Sequence, residues 1–127
     1  MRFDLNRKII NIETATPFPD HLTFYQAMMR ALTQNLPGDE EYVAKPEKKF
    51  EELWSLATKI QAMNKELGGI EIENLTPEER ARIKKRCGIY YAAGVVGPMF
   101  ELLNGNTPQL EQVEDKPEDS ANKQTVN

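Results

Sequence analysis

Thr76-Pro77-Glu78-Glu79 is the stretch that most restricts what this chain can fold into. Thr76 is placed to accept hydrogen bonds from the exposed N–H groups of a helix start. Pro77 has its backbone angle preset for the first helical residue, and Glu79 can reach back as the other half of a capping box. The stretch predicts a helix from Pro77 to around residue 93, with Ile83, Cys87, Tyr90 and Tyr91 facing inward. It also opens the most basic segment of an acidic protein: Arg80, Arg82, Lys84, Lys85 and Arg86 fall within two helical turns, against a net charge of −4 for the chain.

The strongest periodicity lies upstream. From about Pro46, the residues Phe50, Leu53, Trp54, Leu56, Ala57, Ile60, Met63 and Leu67 recur at spacings of three and four, forming one broad apolar stripe. Gly68-Gly69 supplies a left-handed stop. A first helix is expected from His21–Thr23 to about Asn35, with Leu22, Tyr25, Met28, Met29 and Leu32 apolar and Pro37-Gly38 ending it. Residues 36–45 are expected to form a loop. Gly97-Pro98 predicts a kink or break, followed by a short last helix from Pro98 to Asn104.

Alternation of apolar and polar residues over 2–12 suggests a short strand or extended arm, and Pro17 and Pro19 argue against a regular element over 14–20. Ile70-Glu71-Ile72-Glu73 alternates as well and could pair with the arm as a two-stranded ribbon, which would need a helix beneath it to be stable. From Asn106 onward Glu111, Glu114, Asp115, Glu118 and Asp119 face only Lys116 and Lys123. Such a segment buries too little apolar surface to offset its ordering entropy. The expected architecture is therefore mainly α: a small bundle of three to four helices over 1–105, with an N-terminal β arm or ribbon and a disordered acidic tail over 106–127.

Hydrophobic residues make up 39% of the 127, enough for a modest core but not for a deep cavity. The acidic balance argues against a general nucleic-acid coat. No apolar run approaches the ~20 residues needed to span a bilayer. Asp4 and Asn6 stand where a signal peptide would be apolar, and the lone Cys87 allows no intramolecular disulfide. A soluble, cytoplasmic protein is expected.

Few residues suggest chemistry. One His and one Cys cannot make a zinc site, so no metal or other cofactor is expected. Cys87 lies on an apolar stripe, where a thiol is inert. His21 precedes a helix and reads as exposed or capping. Gly94-x-x-Gly97 lacks the Lys-Ser or Lys-Thr of a phosphate loop. The acidic pairs Glu51/Glu52, Glu71/Glu73 and Glu78/Glu79 are explained by solvated faces, strand edges and a helix start. An enzyme is not expected. Two binding readings remain. Phe50, Trp54, Tyr90, Tyr91, Met99 and Phe100 could anchor a protein partner, or a second copy in a homo-oligomer, since aromatic residues dominate interface energetics. Alternatively, Arg80, Arg82, Lys84, Lys85 and Arg86 could contact the phosphates of a nucleic acid.

The order of motifs resembles that of small phage and prophage proteins. The resemblance is carried by Phe3-Asp4-Leu5-Asn6-Arg7-Lys8-Ile9-Ile10, Leu22-Thr23, Ala31-Leu32 and Leu56-Ala57-x-Lys59-Ile60. It continues through Leu75-Thr76-Pro77-Glu78-Glu79, Ile83-Lys84-Lys85-Arg86 and Val95-Val96-Gly97-Pro98-Met99-Phe100-Glu101-Leu102-Leu103, and so spans residues 2–105. It implies a phage-type accessory role, with the tail assembly chaperones of siphophages similar in layout. These motifs are caps and packing residues and bring no catalytic group with them.

Overall fold

A computed structural model of the chain describes residues 2–110. Most of the fold is helical. The elements are β1 (Arg2–Phe3), β2 (Ile10–Asn11), β3 (Thr16–Pro17), α1 (Phe24–Thr33), α2 (Glu40–Ala44), α3 (Pro46–Lys49), a π-helical turn (Phe50–Trp54), α4 (Ser55–Leu67), β4 (Ile70–Glu71), a 3-10 turn (Ile72–Asn74), α5 (Pro77–Tyr90) and α6 (Ala93–Leu103).

Both ends of the expected ribbon are present. β1 pairs antiparallel with β4, setting Phe3 against Ile70. The Phe3 ring then meets the edge of Phe24 at 5.0 Å between centroids, so α1 is the helix beneath the ribbon. The rest of the arm is tied to the same helix. The N–H groups of Phe24 and Tyr25, which have no partner within α1, donate to the carbonyls of Arg7 (3.0 Å) and Leu5 (2.7 Å). Asn64, buried on α4, accepts from the N–H of Leu5 at 3.1 Å. The region expected to be irregular instead contains β3, which pairs with β2 in a small hairpin. Two residues per strand suffice here because Pro17 faces Ile10 only at the hairpin's end, where a missing donor costs little.

Two capping boxes start the long helices. The Thr76 box has the expected reciprocal bonds, Glu79 N–H to Thr76 Oγ1 (3.1 Å) and Thr76 N–H to Glu79 Oε1 (2.9 Å). Thr23 and Gln26 make the same arrangement at the start of α1. Leu5, Ile9, Phe24, Met28, Ile60, Ile83 and Met99 are fully buried at the centre of one core.

Three expectations change. The 36–45 loop contains the helical turn α2. The junction after α5 falls at Tyr91 and Ala92, both extended, rather than at Gly97-Pro98. There the Tyr91 ring tucks against the core, edge-on to Tyr90. Pro98 lies inside α6, where it forfeits the bond to the carbonyl of Gly94 at a cost of ~3 kcal/mol. Burial of Val95, Met99, Leu102 and Leu103, at roughly 1.5–3 kcal/mol each, outweighs that loss. Beyond α6 the ordered chain runs past the boundary expected at 105: Pro108 is buried and Leu110 packs on the core. The acidic tail expected over 106–127 otherwise lies outside the described residues. Among the described residues, no helix is long and apolar enough to cross a membrane.

Candidate functional site

The apolar stripe of 46–67 does not run straight. At its fifth residue, Phe50, the ladder widens, and the N–H of Ser55 donates to the carbonyl of Phe50, five residues back. A π-turn holds one residue more than an α-turn. Everything upstream is therefore rotated by roughly 100° relative to a continuous α-helix. Leu53, Leu56, Ala57 and Ile60 stay in the core, whereas Phe50 is turned out to 59% exposure and Trp54, on the stripe's margin, to 55%. Lys48 and Lys49 turn the other way and become half-buried.

A groove of about 340 Å³ opens beside the two aromatic rings. Its floor is Leu32 and Leu53; its walls are Phe50, Trp54 and Pro46; Thr33 and Lys49 form the rim. Lys49 reaches across it, Nζ donating to Asn35 Oδ1 at 3.2 Å. α1 reaches this groove with its last turn, so the site is shared between two elements far apart in sequence. Phe50 and Trp54 are the candidate anchors expected from the sequence, whereas Leu32, Pro46 and Lys49 carry no such signal. The end of α1 and the helix entering the π-turn bring these three into one surface.

The other expected anchors scatter. Tyr90 is 41% exposed, next to Ile89 at 42%, and Tyr91 is half-buried. Phe100 is half-buried under Lys84, whose Nζ stands 5.8 Å from the ring centroid. Met99 is fully buried and offers no partner a contact. It faces inward because the helix begins at Ala93, not Pro98, which sets Val95, Met99, Leu102 and Leu103 on one face.

The five cations do not share one face either. Arg86 is buried, a correction to its place on a wet basic surface. Its Nε donates to the carbonyl of Ala31 (2.6 Å), and Nη2 to that of Gln34 (2.8 Å). Nη1 and Nη2 grip the two oxygens of Asp39. The guanidinium thus satisfies carbonyls left open at the end of α1. Its hydrogen bonds hold the Asp39 carboxyl below the usual carboxylate range, against the opposing effect of burial. Arg82 Nε lies 3.8 Å from Glu52 Oε1, Lys84 bonds Asn104, and Arg80 is half-buried; only Lys85 is fully exposed.

A second, more polar cleft of about 450 Å³ lies between α2 and α5. Its groups are mostly engaged with one another. Tyr42 Oη donates to Glu52 Oε1 at 2.7 Å, and burial together with that bond pushes the phenol up to about 12. Burial pushes the Cys87 thiol up to about 12 as well, with Arg86 a minor opposing influence. His21 stands exposed in the turn before α1, with φ +57°, away from the buried Cys87. Among the described residues no three metal-binding side chains gather. No family model, curated protein or solved structure matches the chain.

Proposed function

We propose that this protein acts through protein–protein contact at the face built from Phe50, Trp54 and the groove between them and α1, without chemistry of its own. The observation that carries the reading is the pair of aromatic side chains, more than half exposed, at a π-helical turn. A core helix gains nothing by turning a phenylalanine outward, and π-turns are frequent at functional sites. Exposed aromatics beside an apolar pocket are the usual anchors of an interface. The resemblance over residues 2–105 supports a phage-type accessory setting, assembly chaperone-like or host-factor-binding.

The alternative, nucleic-acid binding by the basic helix, draws support from Lys85 and the half-exposed Arg80, Arg82 and Lys84, with Arg86 occupied elsewhere. The experiment is affinity capture with the full chain and its Trp54→Ser variant, with circular dichroism confirming that both are folded. The reading expects the proteins captured by the wild type, its own copies included, to be lost from the variant. An identical captured set would overturn it.

A further inference from the structure

The end of α6 combines several features that bear on one covalent reaction. Asn104 is the only asparagine in the chain followed by glycine. Both residues are exposed and belong to the turn that closes the helix. The N–H of Gly105 donates to the carbonyl of Leu102 (3.0 Å), and that of Asn106 to the carbonyl of Glu101 (2.8 Å), with Gly105 left-handed at φ +89°. Where a side chain on residue 105 would stand there is open space. Lys84, reaching across from α5, donates from Nζ to Asn104 Oδ1.

The backbone nitrogen of Gly105, after giving its proton to hydroxide, can attack Cγ of the Asn104 side chain. A new C–N bond closes the succinimide ring, the bond from Cγ to the side-chain amide nitrogen breaks, and ammonia leaves with a proton taken from water. Water then opens the ring at either carbonyl. One opening leaves aspartate; the other leaves isoaspartate, with the backbone rerouted through Cγ. Glycine leaves the attacking nitrogen unshielded, whereas Asn6, Asn11, Asn35, Asn64, Asn74 and Asn106 all precede residues that carry a side chain. The Lys84 ammonium draws charge from the carbonyl under attack and stabilises the oxyanion that forms on it. In the closed turn the Gly105 nitrogen is engaged by Leu102, so the reaction proceeds from the opened end of the helix, where local stability is lowest.

We propose that Asn104 is a site of spontaneous deamidation, which turns a neutral helix cap into an acid set against Lys84. The chain then carries one negative charge beyond its −4. The aspartate product pairs with Lys84 and takes that cation out of the basic segment. The isoaspartate product lengthens the backbone by one carbon, so the Gly105 and Asn106 hydrogen bonds cannot both persist. That loosens the approach to the buried Pro108 and to Leu110 on the core.

The test holds the native full chain for days at mildly alkaline pH, beside the same chain in denaturant, and maps both by mass spectrometry. Amide-to-acid conversion is expected at Asn104 ahead of every other asparagine in the native chain, as a mixture of aspartate and isoaspartate, and faster as pH rises. Asn104→Gln keeps an amide for Lys84 and should abolish conversion at this position. Lys84→Met should slow the native reaction severalfold relative to amide exchange at Gly105, which reports opening of the turn, and should not alter the rate in denaturant. The isolated isoaspartate form should show faster amide exchange at Asn106. An Asn104 that stays intact in the native chain while the denatured chain converts overturns the site, as does conversion spread evenly over the asparagines. An unchanged ratio in Lys84→Met overturns the part given to Lys84.

Discussion

Arg86 and Asp39 meet fork to fork inside the protein, Nη1 at 2.7 Å from Oδ1 and Nη2 at 3.0 Å from Oδ2, although 47 residues separate them in sequence. Asp39 also accepts the N–H of Leu36 at 2.9 Å, so one ion pair joins α5 to the whole α1–α2 connection. Removing only the acid leaves a buried cation without its counter-charge. Asp39→Ala should therefore cost about 3–5 kcal/mol in urea unfolding, a large part of the stability of a domain this size. The double variant Asp39→Ala/Arg86→Met should lose clearly less than the sum of the two single changes. Strict additivity would show that the two residues act independently.

The same pair gives the protein an acid-sensitive limb. Asp39 lies below its ordinary value through the Arg86 hydrogen bond. Burial alone would push Glu79 up, but the Thr76 N–H and then Lys59, at 3.0 Å, bring it below the usual range. Both carboxyls bind protons less readily folded than unfolded. Their contribution is complete above the unfolded value of about 4 and is lost as pH falls through the folded values. Urea midpoints should stay level from neutral pH to about 5 and then drop. Asp39→Asn should start lower at neutral pH and fall less steeply in acid. A parallel descent would assign the acid limb to other groups.

Gly68 and Gly69 are neighbours with different tasks. Gly68 ends α4 in the left-handed region at φ +74°, with open space where a Cβ would sit. Alanine there should cost only the backbone term, about 1 kcal/mol. A Cβ on Gly69 would lie 2.5 Å from the carbonyl oxygen of Phe3, within the backbone of β1. Gly69→Ala should push β1 off β4, with a visibly larger loss of thermal stability than Gly68→Ala and faster amide exchange at Phe3 and Ile70. Equal losses would remove the steric argument.

Cys87 should resist thiol reagents. Its side chain is fully buried and its thiol is held protonated at neutral pH. Labelling of the native protein should proceed only as fast as the core opens, and should become immediate in denaturant. Rapid modification under native conditions would mean that α5 opens locally far more often than the rest of the fold.

The parts of this fold that were legible in sequence are those decided locally. The Thr76 box, the Pro46 start and the Gly68 stop each need only residues within one turn. The Thr23-x-x-Gln26 box has the same pattern, but the weaker periodicity around it masks the signal. The junction at Tyr91-Ala92 has no Gly or Pro to announce it, whereas Pro98 signals a break that buried apolar neighbours override. Arg86 read as surface because its acid lies far along the chain, and a charge's partner cannot be counted from its neighbours. The exposed aromatic face was half legible. Aromatic content named Phe50 and Trp54, but the groove beside them depends on how α1 crosses the helix and on a ladder defect with no local signature.

That defect amounts to one inserted residue accommodated without breaking the rod. A chain of the same fold lacking a single position between 50 and 54 would keep every other turn in place, yet rotate its phenylalanine back toward the interior. In this chain, deleting one position between 50 and 54 should therefore give a continuous α-helix and withdraw the aromatic display.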